Sequence, residues 1–293
     1  MRTVLTTALS LLLLWSPAAT AAADADDGVR TEAATIAGDD ASIWYPVHRD
    51  RRLPVALFLP GANVDRANYS EFATAVARFG FVVVVPDHYI LPGYRLPSEH
   101  ALGATLGWAR ETVTRGDSAL ASILDPGRLV VAGHSYGAAT ALYAAADRCQ
   151  IPFCFGPPLP HPAELVAVAG FGLNTTIGPI IDQVAVAGIP VMYVNGSADG
   201  ISEPDEALAS YDKLTGAPSA MFVTVLGANH FGITDIDNPA GATPDPRAQT
   251  VPRERTVATV AHWIACWFLA QLGDAEVAHT LTVSDPAVEV RVR

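Results

Sequence analysis

The feature that most limits the fold of this chain is a repeated pairing of a short apolar run with a longer helix-like segment. Runs rich in Val, Ile and Leu stand at residues 55–59, 81–85, 129–132, 165–169, 191–194 and 221–225. A strand with one wet face would alternate polar with apolar residues; most of these runs do not, so both faces must be covered, as in a parallel sheet lying between helices. Residues 68–79, 98–114, 138–147, 205–214 and 252–272 supply the helices. In the last of them Val257, Val260, Ala261, Ile264, Trp267, Phe268 and Leu272 return at steps of three and four, the period of one helix face. The expected class is therefore α/β, a mostly parallel, doubly wound sheet flanked by helices. Residues 32–36 and 41–45 read as an antiparallel start to that sheet, and residues 287–292, which alternate, as a terminal strand. Ligands meet such a sheet at the carboxyl ends of its strands, so chemistry is sought just after each run.

The first residues read as an export signal. Arg2 supplies a positive start, residues 4–15 an apolar run, and Ala19-Thr20-Ala21 or Ala21-Ala22-Ala23 a small-residue cleavage site. Residues 1–23 are expected to be removed, leaving 24–293 as one domain in a secreted or periplasmic protein. The apolar run is too short to span a bilayer, which takes about 20 residues, so no membrane anchor is expected. The formal charge is −12; loss of Arg2 with the signal makes it −12 − 1 = −13. A surface this acidic disfavours nucleic acid and anionic lipid as partners and favours a soluble monomer. Three cysteines are too few for a disulfide framework. Cys149 and Cys154 stand five apart in a Pro-rich loop and can pair in an oxidising compartment; Cys266, on the apolar face of the last long helix, reads as a buried free thiol.

Gly133-His134-Ser135-Tyr136-Gly137 follows one strand directly and precedes an Ala-rich helix. Strand, tight turn and helix are the setting in which a serine hydroxyl is held exposed as a nucleophile. Such a serine needs a base, itself oriented by an acid, and in this setting acid and base follow the serine in chain order. Asp199 stands after the run at 191–194 in a loop of turn formers, and His230 after the run at 221–225. Glu203 and Asp205 are alternative acids, closer to a helix start, where carboxylates commonly cap. His88 reads as structural or as a rim residue, and His134 as packing. Oxyanion donors are expected at the backbone amide of Tyr136 and, in the loop Pro60-Gly61-Ala62-Asn63, at that of Ala62, with Gly61 allowing close approach. No spacing of His, Cys or acidic residues suggests a metal site.

With these residues in place, the chain resembles the α/β-hydrolase superfamily, and within it the dienelactone-hydrolase-like, chlorophyllase-like and cutinase or polyester-hydrolase-like enzymes. The resemblance rests on residues 58–65, 69–73, 80–86 and 227–234 besides the Ser135 turn. It implies an α/β-hydrolase fold and hydrolysis of a small or polymeric carboxylic ester through an acyl-enzyme, with no cofactor. A perhydrolase or other acyltransferase would keep the same residues, and a non-catalytic binding module would keep only the fold. Residues 169–191 leave room for a loop or short helix but no large cap domain, so an open cleft is expected, with Gly61, Asn63, Phe171 and Phe231 beside the substrate. The cysteine reading is checked by mass spectrometry of the exported, non-reduced protein, which should show Cys149 joined to Cys154 and Cys266 free.

Overall fold

Each apolar run of the sequence forms a strand, and the six lie side by side and parallel. The computed structural model describes residues 28–47, 51–150 and 160–293; the expected export signal lies outside them. In chain order the strands are β1 (Val29–Ile36), β2 (Asp39–Pro46), β3 (Leu53–Leu59), β4 (Val82–Asp87), β5 (Tyr89–Leu91), β6 (Tyr94–Arg95), β7 (Leu124–His134), β8 (Leu165–Phe171), β9 (Thr176–Ile177), β10 (Ile180–Ile181), β11 (Val191–Gly196), β12 (Ala220–Val225) and β13 (Val288–Val292). The helices are α1 (Ser70–Arg78), α2 (His100–Arg115), α3 (Ala119–Ile123), α4 (Tyr136–Ala145), α5 (Pro204–Lys213), α6 (Arg253–Gln271) and α7 (Ala275–Thr280). One sheet runs β1-β2-β4-β3-β7-β8-β11-β12-β13. Its middle six strands are parallel. The expected antiparallel start is present as β1 and β2, and the terminal strand as β13, antiparallel to β12.

All seven residues of β3 are buried, which a parallel strand covered on both faces requires. Val55, Leu57 and Leu59 face a core shared with α2, α4 and α5. Ala56 and Phe58 face the opposite core, where α1 and α6 pack. The periodic face of α6 is buried there, and the Trp267 indole N–H donates to the Val168 carbonyl at 3.2 Å, so the largest side chain of that face brings no orphaned donor into the core. Among the described residues no helix is long and apolar enough to cross a membrane.

Several elements were not legible in the sequence. The hairpins β5–β6 and β9–β10 stand outside the main sheet; strands of two or three residues are too short to show a period. The hairpin β9–β10 is the regular structure between β8 and β11, where a loop or short helix was expected, and no cap domain is inserted there. Helices α3 and α7 are likewise short. Cys149 is disulfide-bonded, Cys154 lies outside the described residues, and Cys266 is free and buried.

After β3 the chain goes to β4 on one side, then crosses to β7 on the other, so the connections leave β3 and β7 in opposite directions. A crevice opens at such a switch point. Helix α4 packs beneath it at backbone distance. A Cβ on Gly137 would overlap the Leu59 and Pro60 carbonyl oxygens, and one on Gly133 would overlap the Gly137 backbone. These obstacles cannot rotate away. Gly137→Ala is therefore expected to cost about 3 kcal/mol, the upper end of ordinary overpacking, read as a lower urea midpoint with an unchanged slope.

Candidate active site

Ser135 is the first residue after β7 and caps α4 with φ 53° and ψ −121°, a region that non-glycine residues rarely enter. Three backbone hydrogen bonds hold it there. Its N–H donates to the Phe171 carbonyl at 2.8 Å, and its own carbonyl accepts from Ala138 and Ala139 at 3.0 and 3.1 Å. The side chain opens into a cleft of about 280 Å³, lined with Ala62, Tyr136, Gly172 and Thr176 among others. Ala62 comes from the loop after β3, the neighbour of β7, so the two candidate oxyanion amides flank the serine from adjacent strand ends. The Tyr136 amide opens α4, where the helix dipole favours negative charge.

Asp199 and His230 follow β11 and β12, which are also neighbours. Both are buried, at 0% and 2% exposure. The His230 Nδ1 lies 2.9 and 3.0 Å from the two Asp199 carboxylate oxygens. A carboxylate only accepts, so Nδ1 carries the proton and Nε2 is left as the basic nitrogen. Asp199 Oδ1 also accepts from the Ile201 and Ser202 amides at 2.9 and 2.7 Å, bonds that fix the carboxylate in place. Gly172 lines the cleft with Ser135 and also lies against this pair: with φ +63°, a Cβ there would come 2.9 Å from His230 Cε1. The alternative acids are elsewhere. Glu203 is half exposed beside Arg247 at 3.4 Å, and Asp205 sits in the first turn of α5. His88 pairs with Asp39 at 2.9 Å.

The four residues expected beside the substrate are not in the cleft wall. Gly61 is buried against Tyr69 and His134. Asn63 turns to the hairpin β5–β6, its side-chain oxygen accepting from the Arg95 amide at 2.9 Å and its own amide donating to the Arg95 carbonyl at 3.0 Å. Phe171 and Phe231 are 0% and 3% exposed, packed in the α6-side core. Gly61 and Asn63 flank Ala62, Phe171 ends β8 and Phe231 follows His230, positions that suggested a place beside the substrate; strand alternation and loop curvature turned them under it. The wall instead carries Tyr143, Gln150, Asn174, Thr175, Ile177 and Ser202, drawn from α4 and from the segments after α4, β8 and β11. The cleft is thus more polar than aromatic side chains would have made it. Burial, with the nearby Glu99 and Tyr94, pushes the Tyr136 phenol up from its ordinary value, so it stays neutral.

Sequence reasoning also missed Asp245. Its carboxylate is 7% exposed, accepts from the His230 amide at 2.7 Å, from the Gly200 amide at 3.2 Å and from the Arg247 amide at 2.8 Å. One side chain therefore ties the loop of Asp199 to the loop of His230. No motif surrounds it; a Pro-rich loop with a carboxylate 15 residues after His230 has many ordinary uses. Among the described residues no group of three or more His, Cys, Asp or Glu is arranged to hold a metal ion.

Residues 30–157 match the family described as Chlorophyllase. The match runs from β1 through the Ser135 turn and α4, less than half of the chain, and ends before Asp199 and His230. No curated protein matches the chain. The nine-stranded sheet with its flanking helices is an α/β-hydrolase fold, and the fold and the family match together mark a hydrolase of the α/β type. Asp245→Ala is expected to lower stability by about 3 kcal/mol, since it leaves three partly or fully buried amides without an acceptor. Hydrogen exchange at the His230 and Gly200 amides should speed up, and Asp245→Asn, which keeps one acceptor oxygen, should show a smaller change.

Proposed function

We propose that this α/β-type hydrolase cleaves carboxylic esters, with Ser135 as nucleophile, His230 as base and Asp199 as the acid that orients it. The observation that carries the reading is the buried His230–Asp199 pair lying against Gly172, a residue that lines the cleft into which Ser135 opens. His230 Nε2, left without the proton by the Asp199 contact, takes the Ser135 hydroxyl proton as Oγ attacks the ester carbonyl. The C=O electrons move onto oxygen, and the amides of Ala62 and Tyr136 donate to that oxyanion. Collapse expels the alkoxide, which takes the proton from His230, and leaves an acyl group on Ser135. Water then repeats the sequence and releases the acid. Every proton goes to a named atom, and the steps call on no cofactor. Asp199, bonded to Nδ1, orients His230 and stabilises the imidazolium that forms.

The cleft dimensions support short to medium acyl groups. A volume of about 280 Å³ buries little of a long chain, and each buried CH₂ adds only ~0.8 kcal/mol even when water is fully excluded. Export and cleavage after residue 23 would place the enzyme outside the cytoplasm, where the Cys149 disulfide persists. A panel of esters graded by acyl length should give the highest kcat/KM at short to medium chains, with no jump above the solubility limit of the substrate. Ser135→Ala should abolish both hydrolysis and labelling by a fluorophosphonate while the protein stays folded. Asp199→Asn should lower kcat by ~10⁴, and Glu203→Gln should leave it unchanged; the opposite ranking of the two acids would overturn the assignment.

A further inference from the structure

His134, beside Ser135 in the chain, read from sequence as packing, but both of its ring nitrogens are hydrogen-bonded. It is fully buried on the side of the serine away from the cleft. Nε2 lies 2.8 Å from the His230 carbonyl oxygen. A carbonyl only accepts, so Nε2 carries the proton. Nδ1 lies 2.8 Å from the Tyr69 hydroxyl; in the neutral ring this nitrogen accepts, so the phenol donates to it. The same phenol oxygen accepts from the Gly61 amide at 2.9 Å. An unbroken chain of hydrogen bonds, each proton accounted for, thus runs from Gly61 through Tyr69 and His134 to the backbone of His230.

The surroundings keep that chain in one form. Burial, then electrostatic interaction with the neighbouring His230, holds the His134 ring well below the usual histidine range, against the opposing backbone bond to His230, so it stays neutral. A second proton, on Nδ1, would face a phenol that already accepts from Gly61 and whose own proton would then lack a buried acceptor. Gly61 is required for the approach: a Cβ there would come 2.9 Å from His134 Nδ1. Neither Tyr69 nor His134 reaches the cleft; both are 0% exposed.

We propose that Tyr69 and His134 are positioning residues that hold the oxyanion loop, Gly61–Ala62, in register with the base His230. The inference rests on the ester-hydrolase reading above and extends it. His230 is then fixed at three points: its amide on Asp245, its ring on Asp199 and its carbonyl on His134. Oxyanion donors act through distances set before the reaction, and small misplacements cost rate rather than affinity. Loss of the bridge should therefore appear in kcat.

The test compares Tyr69→Phe, His134→Leu and the double variant with Tyr211→Phe, which removes another buried phenol hydrogen bond, to the Ala220 carbonyl at 3.2 Å, far from Ser135. Tyr69→Phe and His134→Leu should each lower kcat about tenfold with KM within about twofold, and weaken phenylboronic acid, a mimic of the tetrahedral state, in parallel. The double variant should be no slower than the worse single variant, because both act through one chain of bonds; Tyr211→Phe should change neither constant. A Tyr69→Phe enzyme as fast as Tyr211→Phe, or a double variant that loses the product of the two single effects, overturns the bridge. Should the variants fail to fold, nitrogen NMR of the unsubstituted protein decides: His134 must be neutral with its proton on Nε2, and a charged ring or a proton on Nδ1 overturns the proposal. Hydrolysis that survives Ser135→Ala overturns the ester-hydrolase reading itself, whereas loss in Ser135→Ala beside a fully active Tyr69→Phe overturns the bridge alone.

Discussion

A serine held with positive φ between a strand end and a helix start sets the terms for the rest of the molecule. Such a conformation costs about 1–3 kcal/mol and persists only where its surroundings impose it. Here β7 delivers the residue, α4 begins immediately after it, and the absence of side chains at Gly133 and Gly137 lets the helix touch the β3 carbonyls. Gly170 continues the same close packing along β8, where a Cβ would meet that of Ala138. The sheet order places β3, β7 and β8 side by side, so the three strand ends that frame the cleft are held by one helix.

His230 is held in place by a different kind of force. His230 follows β12, two strands beyond β8, early in the long loop that leads to α6, where backbone flexibility is the natural state. Buried hydrogen bonds remove that freedom. Asp199 fixes the ring, Asp245 the amide and His134 the carbonyl, and the first two are carboxylates whose bonds to N–H donors are stronger than those between neutral groups. Asn229 adds another tie, its side chain donating to Asp237 and to the Arg247 carbonyl at 3.0 and 3.2 Å. A chain with a large negative charge thus keeps some of its carboxylates inside as acceptors for backbone amides.

The cleft wall has its own logic. Phe171, whose carbonyl accepts the Ser135 N–H, and Phe231, next to His230 in the chain, pack beneath the site around His134, with ring centroids 6.0 and 5.8 Å from it. They give His134 the dry surroundings that keep it neutral. The wall above is left to small and hydroxyl side chains such as Ala62, Thr175 and Ser202, several of which serve each other: the Ser202 hydroxyl donates to the Gly172 carbonyl and accepts from Asn174. Hydroxyl and amide side chains thus share the cleft wall with Tyr136, Tyr143, Ile177 and Ile201, while the aromatic layer around His134 stays beneath it.

The amino-acid sequence alone determined the class of sheet, its six parallel strands, the helices on its two faces and the Ser135 turn, because those depend on local period and on glycines at fixed offsets. It also placed Asp199 and His230 at strand ends, since a strand end is recognisable from the run before it. Tertiary structure decided what no local pattern encodes. It chose Asp199 over Glu203 as the partner of His230, since that pairing depends on how two loops fold back across neighbouring strands. It brought in Asp245, 15 residues after the histidine it supports, and turned His134 from packing into a hydrogen-bonded bridge to Tyr69, 65 residues away. It turned Phe171 and Phe231 inward because the curvature of the strand ends, not their position in the chain, sets which side faces the cleft. Contacts of that kind join residues whose spacing in sequence carries no period, so only the folded chain reveals them.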